Sequence, residues 1–164
     1  MILLVEAPKP YRSLPIIDSK IIFLAGSIEM GAAENWQDEI IGILEDSTLD
    51  NGSTIILNPR RENWDSNWEQ SISNTNFREQ VEWELCGLND ADMVIFYFDP
   101  ATRSPISLME LGMIGGKKKK SILVCCLDGF WKKGNIEVFC EWNTIPLYHN
   151  KGDLIQDLKY MEWK

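Results

Sequence analysis

The sequence predicts a single α/β domain, spanning residues 1–164, in which a parallel β-sheet is covered by helices on both faces. Three observations support this fold class. The 164 residues suffice for one domain of ordinary size and are too few for two. The hydrophobic share of 45% and the charged share of 25% are typical of globular proteins. Short apolar runs alternate with segments of helical period, as in strands joined by crossover helices.

The predicted strands are short, continuously apolar runs, the pattern of strands that a parallel sheet buries on both faces. The first run, KIIFLA, ends in a Gly-Ser-Ile turn, and the second, STIIL, ends in Asn-Pro. Strands are predicted over residues 20–25, 53–57, 92–98, 121–126 and 144–148. The opening residues 2–5 either add an edge strand or pack over an edge of the sheet.

Helices are predicted where apolar residues recur every three or four positions, over residues 33–45, 77–89, 108–115 and 153–160. In the second of these helices an apolar stripe is formed by Phe77, Val81, Leu85 and Leu88. Glu84 falls at the edge of that stripe and Trp83 points away from it. Glu84 is therefore either an acid that faces the sheet or a salt-bridged residue on the flank of the helix.

The chain carries 16 basic and 25 acidic residues, a formal net charge of −9 at pH 7. Such a surface repels phosphate backbones and anionic membranes, so nucleic-acid and membrane partners are not expected. No apolar run reaches the ~18 residues of a membrane span. The four cysteines form no C-x-x-C pair, and the opening apolar residues are too few for a signal peptide. We expect a cytoplasmic protein that binds a small molecule and needs no metal or cofactor.

In an open α/β sheet, ligands bind beyond the carboxyl ends of the strands. Gly26, Ser27 and Glu29 follow the first strand and lead into a helix, whose free backbone N–H groups suit an anion. Glu29 argues against a phosphate there, because neighbouring negative charges repel each other. Asp99 follows the third strand and belongs to the same edge of the sheet.

Two carboxylates are candidates for catalysis at this edge. Glu110 lies in an apolar stretch, where a carboxylate is costly to bury without a partner or a task. The alternative is an acid that merely complements a helix dipole. Paired with Glu84, it suits glycosidic-bond chemistry, in which one acid attacks the sugar carbon and the other handles the leaving group's proton. The single histidine, His149, stands near the C-terminus, which disfavours a nucleophile–histidine mechanism.

The polar segment 60–76 is longer than an ordinary connection and carries Trp64 and Trp68. Two interpretations remain open for these indoles. They either stack on a flat leaving group such as a nucleobase, or anchor the loop to the body of the protein.

Four segments in this order resemble the nucleoside 2-deoxyribosyltransferase-like superfamily: IFLAGSI at 22–28, NPRR at 58–61, VIFYFDP at 94–100 and SPISLMELG at 104–112. The resemblance extends over residues 21–158. It implies a flavodoxin-like sheet of five parallel strands in the order 2-1-3-4-5. It also implies an enzyme that transfers 2-deoxyribose between nucleobases or hydrolyses the N-glycosidic bond.

The resemblance also implies roles for individual residues. Glu110 matches the family's nucleophile at the start of the helix after the third strand, and Glu84 matches the acid that holds the base and its proton. Asn135 matches an asparagine that a neighbouring subunit supplies to the sugar 5′-hydroxyl, which implies a homo-oligomer, a dimer or larger, with a shared active site.

Two positions depart from the family's pattern. The transferases carry an aspartate six residues before the nucleophile, where this chain has Ser104, so Asp99 and Asp65 are the candidates to replace it. The branch that hydrolyses nucleotides has a serine there but an arginine after Gly-Ser-Ile, where this chain has Glu29. Because that exchange reverses the local charge, a nucleoside substrate is favoured over a nucleotide.

The segment 130–142 holds more large apolar residues than a solvated connection needs. It is therefore predicted to form the subunit interface, with packing onto its own sheet as the alternative.

Overall fold

The computed structural model describes residues 2–14, 19–29, 32–46, 53–61, 63–117 and 120–161. In these ranges strands and helices follow one another in the order β1 (Ile2–Glu6), β2 (Lys20–Gly26), α1 (Trp36–Asp46), β3 (Thr54–Asn58), α2 (Thr75–Asp90), β4 (Met93–Phe98), α3 (Pro105–Gly115), β5 (Ser121–Cys126), α4 (Lys133–Asn143), β6 (Leu147–Tyr148) and α5 (Lys151–Tyr160). The α/β fold class predicted from the sequence is confirmed.

The strands form one parallel sheet in the order β1-β3-β2-β4-β5-β6. The predicted order 2-1-3-4-5 corresponds to the part from β3 to β6. The predicted number of strands is wrong, because the sheet has six and not five. The additional strand, β1, pairs with β3 from Ile2 opposite Thr54 to Glu6 opposite Asn58. It satisfies backbone groups along an edge of β3 that would otherwise be open.

Each face of the sheet is covered by helices, as a parallel sheet requires. One face carries α2, α3 and α4, which bury Trp83, Leu88, Leu111, Ile114, Ile136 and Cys140. The other face carries α1 and α5, which bury Trp36, Ile40, Leu44, Leu154 and Leu158. All four cysteines are free thiols. Of the helices described, none combines the length and the apolar character that a membrane crossing needs.

Three sequence-based details of the helices are wrong. The helix α4 was not predicted, because its apolar residues were assigned to an interface. The helix α3 begins at Pro105, so Glu110 lies in its middle and not at its start. On α2 the side chain of Trp83 is buried, whereas Leu85 is 39% exposed.

The N-terminal segment explains the position of Trp83. Its indole Nε1 donates a hydrogen bond to the Lys9 carbonyl at 2.8 Å. Its rings lie 6.0 Å from those of Tyr11 and Phe23. Residues 7–14 therefore cover the side of α2 that an isolated helical wheel leaves to solvent.

The turn after β2 requires glycine at position 26. Gly26 has a φ of 132°, and a Cβ built there would lie 2.2 Å from the Tyr97 carbonyl oxygen. The close approach of β2 and β4 at Gly26 fixes the position of the turn that follows β2.

Replacing Gly26 with alanine is expected to lower the free energy of unfolding by about 3 kcal/mol or more, because both the backbone angle and the space forbid a side chain. Gly42 on α1 has nothing within 4 Å of a built Cβ. Gly42→Ala is therefore expected to raise stability by about 0.5–1 kcal/mol. Urea denaturation of both variants measures these changes in the free energy of unfolding. An equal change at the two sites would contradict the prediction.

Candidate active site

Ser27, directly after β2, is fully buried and joins three elements through its backbone. Its N–H donates to the Tyr97 carbonyl at 2.8 Å. Its own carbonyl accepts a hydrogen bond from Trp36 Nε1 at 3.0 Å. The Trp36 ring stacks on the Tyr97 ring at 5.2 Å. The turn after β2 is thereby held between the end of β4 and the start of α1.

The Ser27 hydroxyl fixes the loop that connects β4 to α3. Its Oγ accepts a hydrogen bond from the Asp99 N–H at 2.9 Å. It also lies 2.7 Å from Thr102 Oγ1 and 2.7 Å from Ser104 Oγ, which are 2.8 Å from each other. Ser27 and Ser104, two predicted substrate-binding residues, are therefore in direct contact. Their hydroxyls meet inside a buried cluster.

Glu29 contacts the start of α3. Its Oε1 accepts hydrogen bonds from the backbone N–H of Arg103, at 2.7 Å, and of Ser104. Ser104 is the N-cap residue of α3, with a φ of 45°, and its own side chain makes no cap hydrogen bond. The carboxylate of Glu29 satisfies backbone donors that a helix N-terminus leaves unpaired.

Glu110 is 7% exposed in the middle of α3, and Glu84 is partly buried on the neighbouring α2. Burial raises the pKa of Glu84 to about 7. Burial, together with the negative charge of Glu84, raises the pKa of Glu110 to about 8. The raised pKa values fit a pair of acids on neighbouring helices, and the catalytic pairing inferred from the sequence stays a prediction.

Gln80, one turn before Glu84, orients that carboxyl group. Its amide Nε2 donates to Glu84 Oε1 at 2.7 Å and to the Pro59 carbonyl at 3.0 Å. This hydrogen bond favours the ionised form of Glu84 and opposes the rise of its pKa through burial. Gln80 was not singled out from the sequence. The signal available was its spacing of four residues from Glu84 on one face of α2.

The remaining predicted site residues differ in their surroundings. Asp99 is buried, and its carboxylate accepts hydrogen bonds from the N–H of Ala101 at 2.8 Å and of Glu34 at 3.3 Å. Asp65 is exposed, and its Oδ1 binds the backbone and side chain of Asn67, at 2.8 and 2.9 Å. Asn135 is exposed in the first turn of α4. The carboxylate of Asp65 therefore holds its own loop, whereas that of Asp99 holds its own loop and contacts the segment before α1.

The two loop tryptophans contact each other. Trp64 and Trp68 meet edge to face with 5.2 Å between ring centroids. The Arg61 guanidinium lies 4.8 Å from the Trp68 ring centroid and 3.7 Å from the Glu79 carboxylate on α2. These contacts agree with the anchoring interpretation, while stacking on a nucleobase stays a prediction.

A second set of contacts near Ser27 was not predicted. The Tyr97 hydroxyl donates a hydrogen bond to the Glu34 carboxylate. Lys151 at the start of α5 lies 3.1 Å from Glu34 and 2.7 Å from Glu39 on α1. Because Glu34 and Lys151 are 117 positions apart, no local pattern in the sequence indicates their contact.

The described residues include no group of three or more His, Cys, Asp or Glu side chains arranged to hold a metal ion. A surface cavity of about 550 Å³ lies at the amino end of β5, where it is lined by Lys117, Ser121, Trp142 and Thr144, among others. None of the predicted site residues lines it. The carboxyl edge, where Ser27 and Asp99 follow β2 and β4, is at the opposite end of the sheet.

The raised pKa values make stability depend on pH. A carboxyl group whose pKa is 4.5 when unfolded and about 8 when folded holds its proton more tightly in the native state, so stability falls as pH rises between these values. Glu110→Gln is expected to raise the free energy of unfolding at pH 8 by about 2–4 kcal/mol, and to change it little near pH 4.5. Chemical denaturation of wild type and Glu110→Gln between pH 4.5 and pH 8 measures this difference. The control is Glu82→Gln, which changes an exposed carboxylate. An equal gain at both pH values would contradict the assignment.

Comparison with known proteins agrees with this architecture. A solved structure titled "conserved protein from Enterococcus faecalis V583" is 14% identical, with a TM-score of 0.54, covering 86% of this chain and 98% of that chain. At this identity the likeness establishes the fold alone. No curated protein matches the chain.

A family profile described as "Nucleoside 2-deoxyribosyltransferase like" matches residues 19–130, from the start of β2 to the loop before α4. The matched part contains Ser27, Glu29, Glu84, Asp99 and Glu110. Because it covers more than half of the sequence, the protein belongs to the nucleoside 2-deoxyribosyltransferase-like family.

Proposed function

We propose that this protein cleaves the N-glycosidic bond of 2-deoxynucleosides through Glu110 and transfers the deoxyribosyl group to an acceptor nucleobase. The observation that carries the proposal is the pair formed by Glu110 and Glu84. They lie on the neighbouring helices α2 and α3, and the pKa values of both are raised into the range of general acid–base catalysis. Membership of the family gives the class of substrate.

The first step requires the pair to hold one proton, which pKa values of about 7 and about 8 allow near neutral pH. In the free protein the higher pKa of Glu110 favours the proton on Glu110, so the reaction starts from the other arrangement of the pair, in which Glu84 is protonated and Glu110 is ionised. The ionised Glu110 attacks the anomeric carbon and forms an ester with the sugar. The bond to the base breaks, and the base departs with its electron pair and takes the proton from Glu84. Gln80 then stabilises the ionised Glu84 through its hydrogen bond.

The second step reverses the first with a different base. The acceptor nitrogen attacks the anomeric carbon, Glu110 leaves as a carboxylate, and Glu84 takes up the acceptor's proton. Two displacements at one carbon retain the anomeric configuration. Burial of the site favours transfer over hydrolysis, because excluding water slows hydrolysis of the glycosyl ester and leaves it to react with the acceptor base.

Ser104 supports a second candidate, a hydrolase, because it stands where the transferases carry an aspartate. Incubation of the protein with deoxynucleosides, with and without a second base, separates the possibilities by chromatography. A new nucleoside identifies a transferase. Free base alone identifies a hydrolase, and binding without turnover identifies a binding module that has lost catalysis.

Glu110→Ala is expected to lower turnover by several orders of magnitude and to leave substrate binding nearly unchanged, because it removes the nucleophile alone. Glu84→Ala is expected to lower turnover and also to weaken substrate binding, since a hydrogen bond to a charged group contributes about 1.5–3 kcal/mol. Glu84→Gln should bind better than Glu84→Ala and remain slow, because an amide transfers no proton. Steady-state kinetics and calorimetry measure these effects.

A 2-fluoro deoxyribosyl analogue, followed by peptide mass spectrometry, identifies the nucleophile directly. The label is expected on Glu110. The matched control is Glu82→Gln, which removes an exposed carboxylate on α2 and should retain full activity. A label on Glu84, Asp99 or Asp65 would show that the nucleophile is misassigned.

We further propose that the active unit is a homo-oligomer, at least a dimer. The exposed side of α3 carries Ile106, Met109 and Met113, which are 57%, 61% and 42% exposed and follow one another by three and four positions. With Leu111 and Ile114 buried on its other side, α3 is apolar on two sides apart from Ser107 and Glu110, as is typical of a helix buried on both. A second copy of the chain that covers this stripe accounts for it.

The segment 130–142 contributes to this surface only in part. Phe130 and Ile136 pack into the protein's own core, whereas Val138 and Trp142 are 65% and 86% exposed. An interface at α3 and α4 places Asn135 at the boundary between subunits, where it is available to the sugar in a neighbouring site. The free, buried thiols fit the cytoplasmic location that we propose for this assembly.

Met109→Glu is expected to convert the oligomer into a monomer of 18.9 kDa and to abolish turnover, because it places a charge in the centre of the stripe. Sedimentation equilibrium measures the mass. The control is Ile72→Glu, which changes a 78% exposed side chain in the loop before α2 and should leave the mass unchanged. A wild-type protein that is monomeric and fully active at nanomolar concentration would refute the shared site.

A further inference from the structure

We propose that the cavity at the amino end of β5 is a second ligand site, which binds a mononucleotide through Trp142, Lys117 and the hydroxyl groups of Ser121 and Thr144. The cavity lies at the opposite end of the sheet from Ser27 and Asp99, so this binding is independent of the proposed reaction. Its volume of about 550 Å³ is within the range of pockets that hold small molecules.

The cavity is open beside the C-terminal end of α3. Gly116, the C-cap residue of α3, is part of its wall, and a Cβ built on this glycine has nothing within 4 Å. Its φ of −85° is an ordinary value for any residue. The backbone therefore does not require glycine at this position, and the missing side chain leaves the cavity open.

The lining of the cavity is basic in an acidic protein. The chain carries 25 acidic residues and a net charge of −9. The described residues that line the cavity nevertheless include Lys117 and Lys120 and no aspartate or glutamate. Burial, together with the positive charge of Lys117, lowers the pKa of Lys120. A bound phosphate relieves the repulsion between the two ammonium groups.

The two lysines differ in what else they bind. The Lys120 Nζ donates hydrogen bonds to the carbonyls of Asn89 and Ala91, both at 2.6 Å, at the C-terminal end of α2. This is a common role of a lysine near a helix C-terminus. Lys117 forms no ion pair with any acidic side chain that the structure describes. Its ammonium group is therefore the one available to an anionic ligand.

The nearby end of α4 does not need the charge of Lys117. The Thr144 N–H donates to the Cys140 carbonyl, and the Asn143 amide Nδ2 donates to the Phe139 carbonyl at 2.9 Å. Donors of the chain itself thus satisfy carbonyl groups that a helix C-terminus leaves unpaired. Completion of α4 therefore does not account for the position of Lys117.

Trp142 supplies a surface for a flat ring. Its side chain lines the cavity and is 86% exposed, the highest value among the large apolar side chains that the structure describes. Nucleobases of every kind stack on aromatic side chains. Ser121 and Thr144 contribute hydroxyl groups to the same lining, which suit a sugar hydroxyl or a phosphate oxygen. An indole, hydroxyl groups and a free ammonium group together match the base, the sugar and the phosphate of a mononucleotide.

The test is calorimetric titration with 2′-deoxyadenosine 5′-monophosphate. Wild type is expected to bind it, and Lys117→Ala and Trp142→Ala are each expected to weaken the affinity by about tenfold or more. Gly116→Leu fills the cavity and is expected to abolish this binding. The matched control is Gly42→Leu, because Gly42 on α1 also has nothing within 4 Å of a built Cβ, and this variant should bind like wild type.

Two further titrations separate the cavity from the candidate active site. Glu84→Ala, which is expected to weaken binding at the active site, should leave binding of the monophosphate at the cavity unchanged. Deoxyadenosine, which lacks the phosphate, is expected to bind wild type and Gly116→Leu alike. If Gly116→Leu fails to fold, Gly116→Ala and Lys117→Ala decide the matter.

Equal affinity of wild type and Gly116→Leu for the monophosphate would overturn the second site. A loss of binding confined to Glu84→Ala would also overturn it, because the nucleotide would then occupy the active site. Sedimentation equilibrium of Trp142→Ala is expected to give the mass of wild type, and a lower mass would assign Trp142 to the subunit interface and overturn its role in the cavity. Nucleotide binding at the cavity without turnover of any deoxynucleoside would overturn the proposed function alone.

Discussion

The carboxyl edge of the sheet depends on the burial of one small polar residue, Ser27. With no exposed surface, its hydroxyl and backbone groups must find partners inside the protein, and those partners come from β4, α1 and the loop before α3. The strand ends are thus connected by hydrogen bonds whose loss leaves buried polar groups unsatisfied. A rigid edge of this kind suits a site in which two acidic side chains must keep a fixed relation.

The positions of the main strands were predictable because buried parallel strands leave a strong signal, namely continuous apolar runs ended by turns, and their order followed from the family resemblance. The edge strand β1 was not, since a half-exposed run such as ILLVE reads equally well as a strand or as a covering segment. The helix α4 was missed in the sequence-based prediction for a similar reason. Some of its apolar residues pack into the core and others are exposed, and amino-acid composition does not distinguish the two groups.

The candidate site was predictable to the extent that it follows from topology. The rule that ligands bind at the carboxyl edge selected Ser27, Glu29 and Asp99, and the resemblance and helical periodicity selected Glu110 and Glu84. Hydrogen-bond partners were beyond reach, because they join residues distant in sequence. Asp99 and Ser104 illustrate this limit, because their side chains bond residues far away in the sequence, Glu34 and Ser27 respectively.

The part of the chain beyond the family match has its own influence on the edge. Lys151 on α5 holds Glu34, and Trp131 before α4 holds the carbonyl of Arg103, so two anchors of the substrate-facing loops lie outside residues 19–130. The C-terminal fifth of the chain, residues 131–164, thus supports loops that are encoded upstream. Substitutions in that C-terminal segment are therefore expected to alter the stiffness of the loops without changing any acidic residue of the candidate site.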